Sequence, residues 1–224
     1  MTTNTGSAEA YIVDRYEQLW HRWQPNFDYK YTKGRRIAQI IATTGGPVPI
    51  AMELGVGPGG VAAAVSRHGI KVVGIDLSSE ALIRAREHCR SENVTLMRGS
   101  GFSLPVRDAG LPLVYASQVL HLFDAAGRLA IMREVHRALK PGGRFVFDMK
   151  NASSHVLRVL RYSAERRHKN FPRQGEIVDL LRQAGFVTIR KRAGVLPLLG
   201  AAPVPNFGIV RRLAHTTFFV ATKP

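Results

Sequence analysis

Residues 49–60 read PIAMELGVGPGG, an apolar run that ends at Glu53-Leu54 and breaks into the glycine-rich turn Gly55-Val56-Gly57-Pro58-Gly59-Gly60. Glycines placed directly after a short strand pattern predict a tight strand-to-helix turn whose backbone approaches a ligand closely. Downstream, GGVAAAVSRHG predicts a helix and KVVGID (71–76) a second strand. The helix pattern SSEALIRAREHCRSE follows, with Ser78 or Ser79 as its cap. VTLMRG (94–99), LPLVYAS (111–117) and RFVFDM (144–149) continue the strands, with the helix AAGRLAIMREVHRALK before the last of these and the turn Leu139-Lys140-Pro141-Gly142-Gly143 between them. Short apolar strands separated by helices of this length predict βαβ crossovers and a parallel sheet covered on both faces.

Upstream, residues 9–42 predict two helices broken at Gln24-Pro25-Asn26, the second resuming from Lys33 to Ile41. Tyr11, Tyr16, Trp20, Trp23, Phe27, Tyr29 and Tyr31 concentrate aromatics there, although only 8% of the chain is aromatic. Beyond the fifth strand the chain changes character. NASSHVLRVLRYSAERRHKNFP (151–172) is basic, RQGEIVDLLRQAG an amphipathic helix and FVTIRKRAG a sixth strand. An apolar, Pro/Gly-rich connection (195–210) then leads to the terminal strand HTTFFVATK (215–223).

The totals exclude several classes. With 224 residues and 45% apolar content, one globular domain is expected. No run of 18 or more uncharged apolar residues occurs, and the start lacks the basic-then-apolar layout of a secretory signal, so a cytoplasmic protein without a membrane span is expected. Cys89 is the single cysteine, which excludes an internal disulfide; its place in a helical pattern marks a structural thiol. The eight histidines show no metal-ligand spacing, so no metal is expected. The net charge of +16 is uneven, with 15 Lys/Arg against 4 Asp/Glu from Arg144 onward. Such a face attracts RNA, anionic lipid or an acidic substrate, or is simply solvated.

Taken alone, the glycine turn is ambiguous. Gly55, Gly57 and Gly60 satisfy the GxGxxG of a dinucleotide binder, and Gly55, Gly57 and Gly59 the GxGxG of an S-adenosylmethionine (SAM) binder. Asp76, ending the second strand, suits the ribose hydroxyls of both. Pro58 removes a donor that a pyrophosphate would use, and Glu53 adds negative charge that a cationic ligand would favour and two phosphates would not. Together with GIDLSSEAL and REVHRALKPGGRFVF, the turn makes residues 48–149 resemble a class I SAM-dependent methyltransferase.

That resemblance implies a Rossmann-like α/β three-layer sandwich: a mostly parallel seven-stranded sheet with an antiparallel last strand and an N-terminal helical lid. Residues 1–45 would form the lid, and 46–224 the core with inserts at 151–172 and 195–210. It places Gly55, Gly57 and Gly59 against the cofactor, Glu53 near its methionine end, Asp76 on the ribose and Leu77 on adenine. Ser100 sits where the family reads the adenine amino group, with Gly101-Phe102 replacing the usual small pair, and Ser117 and Gln118 lie beneath the sulfonium. His121, after the fourth strand, is the candidate base or a hydrogen-bonded structural histidine. Tyr29, Tyr31 and Arg35 are the lid residues expected to face the acceptor. The 195–210 connection is an acceptor wall, a homodimer contact or a packed loop. The expected activity is methyl transfer to an O, N or C nucleophile of a small molecule such as a natural product, quinone-like ring or lipid-like compound. An RNA methyltransferase, whose basic last third would meet phosphates, is the alternative.

Overall fold

The computed structural model describes residues 10, 13, 14, 16–18, 27–90, 92–150, 172–194 and 216–224; of Phe27, Asp28, Tyr29 and Ala193 it describes the backbone alone. The apolar insert at 195–210, the basic insert up to residue 171 and most of the first N-terminal helix lie outside these residues.

Seven strands, β1 (Ile50–Leu54), β2 (Lys71–Asp76), β3 (Val94–Arg98), β4 (Leu111–Ala116), β5 (Leu139–Lys150), β6 (Thr188–Ala193) and β7 (Thr216–Thr222), form one sheet in the order β3-β2-β1-β4-β5-β7-β6. The first five run parallel, and β7 inserts antiparallel between β5 and β6. Strand order reverses between β1 and β4, and it is outside the carboxyl ends of strands at such a switch point that open α/β sheets bind ligands. The helices are α1 (Phe27–Thr43), α2 (Gly60–Ser66), α3 (Ser79–His88), α4 (Ala125–Ala138) and α5 (Gln174–Gln183). α1 begins at Phe27 rather than Lys33, because nothing in FDYKYT after the Pro25 break interrupts a helix. The Lys140-Pro141-Gly142-Gly143 turn is absorbed into β5: Gly142, at φ 73°, donates its N–H to the Lys223 carbonyl, and Lys223 returns one to Gly143.

The period-2 alternation of the strands sorts their residues onto two faces. Met52, Leu54, Val114, Phe145, Phe147 and Phe219 pack with Ile131, Met132 and Val135 of α4 and Leu180 and Leu181 of α5. On the other face Ala51, Val72, Leu113, Tyr115, Val146 and Phe218 pack with Ile37, Ile40 and Ile41 of α1 and Val61 and Val65 of α2. Each of these buried isoleucines stabilises the fold by about 1.5–3 kcal/mol. Glu53, Asp76 and Asp148 share the strand parity of this second face, so their carboxyls end up under α1 at the carboxyl edge.

α1 lies unusually close to α2. A Cβ built on Gly34 would stand 2.4 Å from the Ala64 Cβ and 2.8 Å from the Val61 carbonyl oxygen, and backbone cannot swing aside. Gly34→Ala is therefore expected to cost about 1–3 kcal/mol in urea denaturation. Gly46→Ala, at a position with open space around it, should stay within about 0.5 kcal/mol.

Candidate functional site

The glycine turn leaves β1 with three left-handed residues at alternate positions, Gly55 (φ 65°), Gly57 (52°) and Gly59 (86°). A Cβ on Gly55 would meet the Val119 Cγ2 at 2.4 Å, and one on Gly59 the Cys89 Sγ at 2.7 Å. The turn is thus clamped between the exit of β4 and the end of α3, and only glycine satisfies both the dihedrals and the contacts. Cys89 serves that clamp. Its thiol is buried, donates to the Gly59 carbonyl at 3.5 Å and is pushed up to about 12, first by burial, which leaves it inert as a nucleophile.

Asp76 closes the turn from β2. Its Oδ2 accepts the Gly57 N–H at 2.8 Å and its Oδ1 the Ser78 N–H at 3.0 Å, leaving further lone pairs on each oxygen for hydroxyl donors. Ser78, not Ser79, caps α3, its Oγ accepting the Ala81 N–H at 3.1 Å. The Ser79 N–H is met by Glu17 Oε1 at 2.8 Å, which brings Glu17 against this corner. From β3, the Gly99 N–H donates to the Asp76 carbonyl; Ser100 Oγ accepts the Phe102 N–H, and the Phe102 ring stands edge-on to Phe123 with centroids 5.2 Å apart. Leu77 and Gly101 are half-buried beside them.

At the centre of the edge Glu53, Gln118 and His121 meet groups that the sequence did not single out. Glu53 is buried and its Oε2 accepts the Tyr115 hydroxyl at 2.9 Å. Burial, opposed by that bond and by Lys30, pushes its carboxyl up to about 8. Lys33 Nζ meets Asp148 Oδ2 at 2.5 Å, with both side chains sealed from solvent. Asp148 Oδ1 accepts the Gln118 N–H at 2.8 Å and so holds the exit of β4, where Gln118 sits at φ 59°, a conformation rare for a side chain of its kind. Burial alone would raise Asp148; the charge and hydrogen bond of Lys33, the Gln118 N–H and the His121 field together bring it below the ordinary carboxylate value. His121 is 4% exposed in the 3-10 turn Leu120–Leu122 after β4, and Asp124 spends its Oδ1 capping α4 at Gly127.

Ser117 is buried, and its Oγ has no hydrogen-bond partner among the described residues. An orphaned hydroxyl beside a turn stripped of Cβ atoms, with an aspartate at the end of β2 whose oxygens can accept more bonds, is a donor set that fits an adenosyl ligand bearing an amino-acid tail. Glu53, Gly55, Gly57, Gly59, Asp76, Ser117, Gln118 and His121 are brought together at the switch point. Of the expected acceptor residues, Tyr31 accepts a hydrogen bond from Arg67 at 2.9 Å under a cation–π contact, Arg35 is exposed on α1, and the Tyr29 side chain is not described. Lys30, Lys33, Tyr115 and Asp148 were missed; the acid inside the apolar run FVFDM was the one visible signal for them.

Comparison with known proteins agrees with this geometry. Residues 52–147 match the family model of a methyltransferase domain. An uncharacterized methyltransferase of Synechocystis is 31% identical over 145 residues, covering 62% of this chain and 68% of that protein. The ubiquinone biosynthesis O-methyltransferase of Ralstonia nicotianae is 28% identical over 170 residues, covering 71% and 70%. Among solved structures, a SAM-dependent methyltransferase of Thermotoga maritima superposes with a TM-score of 0.71 at 21% identity, over 96% of this chain and 99% of that one. Among the described residues no helix is long and apolar enough to cross a membrane, and no cluster of His, Cys, Asp or Glu is arranged for a metal.

Two measurements check the electrostatics. Lys33→Met strands a buried carboxylate and is expected to cost about 3–5 kcal/mol, whereas Lys33→Met with Asp148→Leu should recover much of that loss. Glu53 holds its proton in the folded state between its ordinary value of 4.5 and about 8, so the native state binds more protons than the unfolded one there. Unliganded stability, relative to Glu53→Gln, should therefore fall as pH rises through that window, by up to about 1.4 kcal/mol per unit in denaturant titrations.

Proposed function

From the premise that this chain belongs to the class I SAM-dependent methyltransferase family, we propose that it methylates a small-molecule acceptor. S-adenosylmethionine is its cofactor, and when bound it supplies a methyl group activated by the attached sulfonium. We assign Gly55, Gly57 and Gly59 to the backbone cradle of the adenosyl group and Asp76 to the ribose hydroxyls. Leu77, Ser100, Gly101 and Phe102 line the adenine end, and Glu53, Ser117 and Gln118 the methionine end.

The observation that carries the acceptor reading is the depth of the site. Glu53 (1% exposed), Ser117 (5%) and His121 (4%) are all withdrawn from solvent, so a nucleophile has to leave bulk water to reach them. A buried site of this kind excludes water and fixes orientation, which is most of what an in-line displacement asks of a protein. His121 takes the proton of the incoming nucleophile where the acceptor is a hydroxyl or an acidic carbon, and the nearby Asp148 carboxylate favours the imidazolium that forms. The N-terminal segment and the start of α1 act as the lid, supported by the Glu17 contact to Ser79 at the corner of the ribose site. Similarity to an enzyme of ubiquinone biosynthesis favours an aromatic, quinone-like acceptor.

The RNA reading draws on a different feature. Arg190 and Arg192 share the α1 face of the outer strand β6 with Arg36, and no described carboxylate pairs with any of the three. A labelled-methyl assay separates the two: purified protein and SAM carrying a labelled methyl group are incubated with cell extract, which is then split into organic-soluble, RNA and protein fractions. Label in the organic-soluble fraction is expected; label confined to RNA would overturn the small-molecule reading.

A further inference from the structure

Lys30 and Lys33 stand one turn apart on the face of α1 that continues into Ile37 and Ile41, so both point at the sheet. Lys33 is committed to Asp148 at the end of β5. Lys30, one turn nearer the start of a helix that runs from the carboxyl to the amino edge, reaches further out over the strand ends. There Lys30 is half-buried as a residue, its ammonium largely desolvated and within electrostatic reach of Glu53, Asp76 and Asp148, yet among the described residues it makes no hydrogen bond or ion pair. A desolvated ammonium without a hydrogen-bond partner is costly, and a bound anion would offset that cost.

The charges of the cofactor supply that anion. Its methionyl tail carries one carboxylate, one ammonium and the sulfonium. Glu53 and the neighbouring acceptors suit the two cations, and Asp76 suits the ribose. Lys33 is committed to Asp148, and among the described residues Lys30 is the ammonium on the same helix face left to receive the carboxylate. We propose that Lys30 binds the carboxylate of the cofactor's methionyl group, and that the Lys33–Asp148 pair sets the helical register that delivers it. The inference rests on SAM being the cofactor and is independent of which acceptor is methylated. Burial, then Lys33, draws the free Lys30 ammonium down to about 8, and a bound carboxylate acts in the opposite sense.

The test is calorimetric binding of SAM and of decarboxylated SAM, which differ by that carboxylate, to the wild-type protein and to Lys30→Met, Lys30→Gln and Lys30→Arg. Wild type should prefer SAM by about tenfold to a hundredfold, the scale of one charge-assisted hydrogen bond. Lys30→Met and Lys30→Gln should bind the two ligands with nearly equal affinity, close to that of wild type for the decarboxylated form, and Lys30→Arg should restore most of the preference. A full preference retained in the Met and Gln variants, or an equal loss of affinity for both ligands, would overturn the assignment of Lys30. Wild-type protein that binds neither ligand would overturn the cofactor assignment itself and the proposal with it.

Discussion

The placement of α1 depends on β5 holding it at two points. At the amino edge the Arg144 guanidinium donates to the Ile41 carbonyl at 2.8 Å, Thr44 Oγ1 at 2.9 Å and the Gly46 carbonyl at 3.1 Å, closing the helix end. At the carboxyl edge Asp148 takes Lys33. The spacings agree: four residues of strand span about 13 Å, and the eight residues of helix from Lys33 to Ile41 about 12 Å. Sealed from water, the Lys33–Asp148 pair adds little net stability, because desolvation consumes most of its attraction. Its effect is on register. Asp148 also grips the Gln118 N–H, so the same carboxylate fixes α1 and the left-handed exit of β4, and Val119 in that exit packs on Gly55. Helix, β4 exit and glycine turn are thereby one connected assembly.

The charge pattern of the edge then selects the kind of ligand. Glu53, Asp76 and Asp148 line its inner wall, and Pro58 takes a donor away from the turn where a pyrophosphate would seek one. A ligand with two cationic centres and a single carboxylate suits this wall; a diphosphate does not. The raised Glu53 carboxyl follows from the same arrangement, since a buried acid not yet facing a ligand cation is favoured in its neutral form, with Tyr115 still donating to it.

Much of this was legible in the sequence, and the rest was not for a common reason. The strands along the chain, the glycine turn, the place of Asp76 at the end of β2 and a serine cap at 78 or 79 are set by local pattern, so periodicity and spacing reveal them. The contacts that assemble the site join residues far apart: Lys33 to Asp148 across 115 positions and Glu53 to Tyr115 across 62. Residue type alone does not say that a lysine among the aromatics of α1 meets an acid at the end of β5. Tyr31 shows the converse. Its type suggested a site residue, but the turn of the helix carries its hydroxyl to Arg67, while Lys30, one position earlier, takes the place over the strand ends. The Leu139–Gly143 stretch reads as a turn by composition and becomes strand because Leu111 and Lys223 pair with it.

A crystal structure with bound S-adenosylhomocysteine tests the central claim, that the carboxyl edge between β1 and β4 is the cofactor site and that the Lys33–Asp148 pair frames it. The account predicts the adenosyl group along Gly55–Gly59, the ribose hydroxyls within hydrogen-bonding distance of Asp76, and the ion pair intact. Ribose lying away from Asp76, or Lys33 drawn off Asp148 to the ligand, would contradict it.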